Sequence, residues 1–90
     1  MQIGQVKGSL WATRKDEHLN GLKFLIVEIT EPMSKTVTSL VAADIIGAGL
    51  GDQVLVATGS AARMAVEDTA TPIDAAVICI IDSVELENEN

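Results

Sequence analysis

Gly47, Gly49 and Gly51, with Asp52 directly behind them, are the residues whose spacing first suggests chemistry. A glycine cluster between two apolar runs is a setting in which backbone N–H groups can cradle a phosphate. The dinucleotide fingerprint needs Gly-x-Gly-x-x-Gly at the opening of a helix, and here the third glycine comes one residue early. Beyond Gln53 stands Val54-Leu55-Val56, a run that is β-rich and too short for a helix. No Lys comes after the glycines as a Walker loop requires. The block therefore reads as a tight strand-to-strand connection. Its glycines supply positive φ and close backbone approach, and the Asp52 side chain bonds nearby N–H groups.

Catalytic and metal-binding sets are equally incomplete. A serine nucleophile at Ser60 would need a His base, and the one His of the chain, His18, stands among Asp16, Glu17 and Asn20 in a polar stretch. A metal at His18 would need further ligands at suitable spacing, and the one Cys lies far along the chain at position 79. Cys79 is flanked by Ile78 and Ile80, without the basic, partly exposed setting that stabilises a thiolate, and reads as an inert packed residue. Asp74 and Asp82 bracket an apolar run and read as turn caps. Arg63 has two readings: a cation near the last carbonyls of a helical turn, or a bridge to an acid on a neighbouring subunit. The N–H groups of Gly59, Ser60 and Ala61 could receive an anion as a backbone nest. No catalytic centre, cofactor or metal is expected.

Five strands are expected to position these residues, over 2–12, 23–30, 36–46, 53–58 and 75–84. Ser60 is the expected N-cap of one helical turn ending at Arg63. In the first strand Val6, Gly8, Leu10 and Ala12 alternate with Gln5, Lys7, Ser9 and Trp11, the period-two pattern of a half-buried strand. With Val6, Leu10 and Ala12 facing inward, Trp11 faces outward unless a bulge shifts the register. A large outward aromatic is a candidate interface anchor. The second strand is apolar on both faces: Phe24 and Ile26 on one, Leu25, Val27 and Ile29 on the other. The last contains the unbroken run from Ala75 to Ile81. Strands apolar on both faces are normally covered on both sides, and a small barrel covers only the inside with its own chain. The outer faces of strands two and five call for neighbours, so a homo-oligomer is expected, most simply a head-to-tail ring.

Composition narrows the function further. Of 90 residues 48% are hydrophobic but only 2% aromatic, and the net charge is −7. Nucleic-acid binders of comparable size use basic grooves and aromatic stacking platforms, so neither nucleic acid nor an anionic membrane is an expected partner. The single Cys fits a reducing compartment, and no apolar run approaches the length of a membrane span. Without a basic start or an apolar signal core near Met1, the expected location is cytoplasmic. Residues 1–86 read as one domain and 87–90 as a short acidic tail.

Several motifs together carry a resemblance. They are Val6-Lys7-Gly8, Ala12-Thr13-Arg14-Lys15, Leu19-x-Gly21-x-Lys23, the block from Ala43 through Asp52, Val54-Leu55-Val56, Gly59-Ser60-Ala61-Ala62-Arg63, and Pro72-Ile73-Asp74-Ala75-Ala76-Val77. The chain resembles the EutN/CcmL family, vertex proteins of bacterial microcompartments such as carboxysomes. The resemblance covers nearly the whole chain; the hairpin at 31–38 and the tail stand outside it. It implies an all-β fold, a small five-stranded OB-like barrel with one short helical turn, assembling into a pentameric ring. It further implies a structural role at the vertices of a shell whose facets are hexameric shell proteins, with at most a narrow axial pore. The alternative is an OB-like ligand- or nucleic-acid-binding module. Candidates for the subunit interface or pore are Trp11, Asp44, Gly47, Ala48, Gly49, Gly51, Ser60 and Arg63.

Overall fold

Period-two alternation and β-branched composition produce five strands: β1 (Gln2–Leu10), β2 (Lys23–Thr30), β3 (Val37–Asp44), β4 (Gln53–Thr58) and β5 (Ala75–Ile80). A 3-10 turn, Glu17–Leu19, and one helix, α1 (Ser60–Ala65), complete the elements. The computed structural model describes residues 1–11, 17–19, 21–31, 33–66 and 72–83. The strands close into a barrel in the order β1-β2-β3-β5-β4. All neighbours are antiparallel except β3 and β5, which run parallel. This is the five-stranded Greek-key arrangement of the OB type.

The interior is narrow and aliphatic. Val6, Leu25, Val27, Ile29, Val54, Val56 and Val77 fill it, with Ala42, Ala75 and the loop residue Ala48 where larger side chains would not fit. Neither Phe24 nor Trp11 enters this core. Gly4 lies at the closest approach of β1 to β2. A Cβ there would sit 2.5 Å from Val27 Cγ1 and 2.9 Å from the Glu28 carbonyl oxygen, so the position has room only for hydrogen.

The outer face is covered in one region. Ala57 and Ala76 are paired in register, and Ala76 is paired in turn with Ala43. They alternate with the core residues of their strands, yet all are buried. Helix α1 packs against β4 and β5, and its Ala62 is fully buried. Alanines on both partners let the helix lie close to the sheet.

Several expected boundaries move, each for a local reason. β3 ends at Asp44 rather than at 46, because the Asp44 carboxylate takes the amides just beyond it and turns the chain. β5 ends at Ile80 rather than at 84; the Ile81 amide still bonds the Gln53 carbonyl at 2.7 Å, and Gln53 is where β4 begins. β1 ends at Leu10; the expected final residue, Ala12, lies outside the described residues. α1 runs past Arg63 to Ala65, and its N-cap is Gly59, with no side-chain bond from Ser60. The reason is backbone: Gly59 adopts φ 64° and leaves Ser60 inside the first turn, where its hydroxyl cannot reach the capping position.

The register of β1 corrects the parity argument. Between Val6 and Gly8 the pairing with β2 shifts by a bulge. Val6 opposes the core residue Val27, but Leu10 opposes Phe24 on the outer face, so Leu10 points outward and is 47% exposed. Trp11 is 91% exposed because the strand has already ended, not because parity turns it outward.

Replacing Gly4 by Ala should destabilise the fold by about 1–3 kcal/mol through overpacking. Gly8→Ala, whose nearest neighbour is Ile26 Cδ1 at 3.9 Å, should be close to neutral. Urea denaturation of the two variants distinguishes them; equal midpoints would contradict the tight approach at Gly4.

Candidate functional site

The loop between β3 and β4 is organised by two carboxylates. Asp44 is 8% exposed, and its Oδ1 accepts the amides of Ile46 at 3.1 Å, Gly47 at 3.1 Å and Ala48 at 3.3 Å. Asp52 Oδ2 accepts the Gly49 amide at 2.8 Å, while the Asp52 amide bonds back to the Gly49 carbonyl at 3.0 Å. Every amide from Ile46 to Gly49 thus has an acceptor in its own chain, and each acceptor is a carboxylate. A phosphate would have to displace them and face their charge, which closes the loop to anions. Gly47 and Gly51 hold φ of 81° and 87°, the left-handed region that glycine enters at no steric cost. Gly49 does not, and a Cβ there would meet only Asp52 Oδ2 at 3.8 Å; the positive φ read from the sequence holds at Gly47 and Gly51.

The same loop is fastened to the barrel. The Gly51 amide donates to the Val6 carbonyl and the Val6 amide to the Asp52 carbonyl, both at 2.9 Å. Gln5 Nε2 reaches the Gly51 carbonyl at 3.2 Å, and Lys23 Nζ reaches that of Ala48 at 3.4 Å. Ala48 is buried beneath the loop as part of the core, whereas Leu50 beside it is 77% exposed.

At α1, Arg63 Nη1 donates to the Ile73 carbonyl at 3.1 Å, tying the helix to the segment that leads into β5. The Gly59 amide is taken by the Asp74 carbonyl at 2.7 Å, so the nest expected at Gly59 to Ala61 lacks its first donor. Asp74 acts here through its backbone. Ser60 and Met64, one turn apart, are exposed. The side chain of His18 lies outside the described residues.

Among the described residues, two outer patches are bare and apolar. In the first, Leu10 pairs with Phe24 and Ile26 with Val41, across β1, β2 and β3. A hollow of about 200 Å³ opens beside it, lined by Phe24, Val41, Ala43, Pro72, Ile73 and Ala75 among others. In the second, Ile3 pairs with Leu55 and Leu55 with Cys79, one row across β1, β4 and β5. Cys79 is exposed, which overturns the packed reading. Its aliphatic sequence neighbours do not cover it, because Leu55, its partner across the sheet, lies on the outer surface with it. Sequence reasoning located the bare face of β2 but missed the row through Ile3 and Leu55. Only the pairing register brings those residues together with Cys79.

A family model described as "Ethanolamine utilisation protein EutN/carboxysome" matches residues 1–82. The carboxysome shell vertex protein CcmL of Synechococcus elongatus is 41% identical over 91 residues, spanning 100% of this chain and 92% of that protein. The structure of Gloeobacter violaceus CcmL superposes with a TM-score of 0.86 at 40% identity, covering 98% of this chain and 92% of the other. The GrpN pentameric microcompartment shell protein from Rhodospirillum rubrum gives 0.83 at 38% identity, covering 97% and 100%.

Asp44→Ala should destabilise the protein by about 1–3 kcal/mol, because the buried Ala48 amide and the part-buried amides of Ile46 and Gly47 lose their acceptor. Asp44→Asn keeps one acceptor oxygen and should cost less. Gly47→Ala should cost about 1–2 kcal/mol for the left-handed backbone. Thermal melts of the three variants test this ranking, and an unchanged melting temperature for Asp44→Ala would contradict it.

Proposed function

The chain belongs to the EutN/CcmL family, and on that premise we propose that five copies close into a ring that caps the vertices of a polyhedral bacterial microcompartment. A layer of hexagonal tiles is flat and cannot close on itself; fivefold units introduce the curvature that closure requires. The observation that carries this reading is similarity along the full chain to vertex proteins, including a pentameric one. The chain's own geometry supports it. The described residues leave the apolar outer patches of the barrel uncovered, as expected of a subunit completed by copies of itself. The role is structural and not catalytic, and its place is the compartment shell in the cytoplasm.

Hexameric shell proteins are the proposed neighbours of the ring. Residues 1–86 are read as the vertex domain and 87–90 as its tail. Asp44, Gly47, Ala48, Gly49 and Gly51 are proposed for the interface or the pore through the loop they build, Ser60 and Arg63 through α1, and Trp11 as an exposed anchor. Nucleic acid is not a proposed partner. OB-type binders of single strands need stacked aromatics and a basic groove, and this chain has one Trp, one Phe, no Tyr and a net charge of −7.

Native mass spectrometry should give a five-subunit species, and a monomer at micromolar concentration would sink the ring. Co-expressed with hexameric tiles, the protein should yield closed polyhedra by electron microscopy, while tiles alone should give open sheets or tubes. Equal closure without it would remove the vertex role. Trp11 emission should be blue-shifted and shielded from iodide in the ring, and red-shifted and quenchable in the dissociated subunit. Full quenching in the assembled ring would show that Trp11 faces solvent there.

A further inference from the structure

The two bare patches share β1, where Ile3 and Leu10 stand near opposite ends of the strand, and otherwise occupy different strands. One is centred on β2 and joins Leu10, Phe24, Ile26 and Val41. The other is the row Ile3, Leu55 and Cys79, centred on β4. In the barrel order β2 and β4 are separated by β1 on one side and by β3 and β5 on the other. Their central strands are therefore neither neighbours nor diametrically opposed. Identical subunits joined through opposed patches would run on as a straight filament; patches set at an angle bend the row and let it close.

We propose that the row Ile3–Leu55–Cys79 of one subunit packs against the patch Leu10–Phe24–Ile26–Val41 of the next, forming the repeating contact of the ring. This rests on the ring reading above and adds which face meets which. The occupant of each patch is a second copy of this chain. Helix α1 already covers the alanine region of β4 and β5, so the row is the part of that outer face which the described residues leave open. The hollow beside Phe24 and Val41, about 200 Å³ and lined further by Ala43, Pro72, Ile73, Asp74 and Ala75, has room for an aliphatic side chain, and Ile3, 45% exposed, is the branched side chain at the end of the facing row. The residues of both patches are uncharged, so the carboxylate that lines the hollow, Asp74, meets no opposing carboxylate from the row Ile3, Leu55 and Cys79.

Cys79 makes the contact measurable. In the intact ring its reaction with a maleimide should be slower by roughly an order of magnitude or more than in dissociated, folded subunits, because the partner excludes the reagent. Ile3→Glu and Val41→Glu introduce a charge at exposed positions of opposite patches. Each variant alone should keep the far-ultraviolet spectrum and melting behaviour of a folded barrel but run as a monomer. Mixed in equal amounts they should form a heterodimer, since one intact copy of each patch remains between them. A pentamer that persists in either variant, a mixture that stays monomeric, or full Cys79 labelling in the wild-type pentamer would overturn this pairing and leave the ring intact. A monomeric wild-type protein would overturn the ring itself.

Discussion

Five short strands enclose an interior wide enough for little more than valines, alanines, one leucine and one isoleucine, and that narrowness governs the rest of the molecule. The side chains it holds, Val6, Leu25, Val27, Val54, Val56 and Val77, use only one face of each strand. The chain nevertheless places apolar residues on the other face as well, at Phe24, Ile26, Val41, Leu55 and Cys79. A barrel has no second interior to receive them. The molecule covers part of this outer surface with α1, laid on alanines, and leaves the remainder for other copies. Fold and assembly are thus two answers to one packing constraint, the first inside the subunit and the second between subunits.

The glycine loop illustrates how the sign of nearby charge separates two functions that share one sequence pattern. Successive amides converge between β3 and β4, as they do in loops that bind phosphate. In this chain the converging group is Asp44, with Asp52 beyond it. The carboxylates supply internally what a ligand would otherwise supply, and the loop becomes a rigid brace fastened to Val6, Gln5 and Lys23. A brace of this kind suits a structural subunit, because it fixes the end of the barrel without waiting for a ligand.

The bulge in β1 has a comparable reach. One shifted residue between Val6 and Gly8 transfers Leu10 from the expected interior to the outer surface beside Phe24. An apolar patch that spans three strands depends on that shift. Gly4 acts in the opposite sense: by having no side chain it lets β1 and β2 approach where Val27 and Ile29 fill the space.

Alternation, β-branched content and glycine punctuation in the sequence were enough to determine five strands, the tight loop after β3, the two-faced character of β2 and the need for partners. The motifs from Val6-Lys7-Gly8 to Gly59-Ser60-Ala61-Ala62-Arg63 were enough to determine the family. These are properties of neighbouring residues, and local preference records them directly. Tertiary structure alone decided that Gly59, not Ser60, caps α1, that Leu10 and Cys79 lie outside, and that Arg63 holds the Ile73 carbonyl. It also decided that Ile3, Leu55 and Cys79 form one row. Each of these depends on which strand residues stand opposite one another or on the backbone angle of a single glycine, and a one-residue shift in pairing reverses the face of every side chain beyond it. The periodicity of one strand carries no record of its neighbour's register, so that information exists only once the barrel has closed.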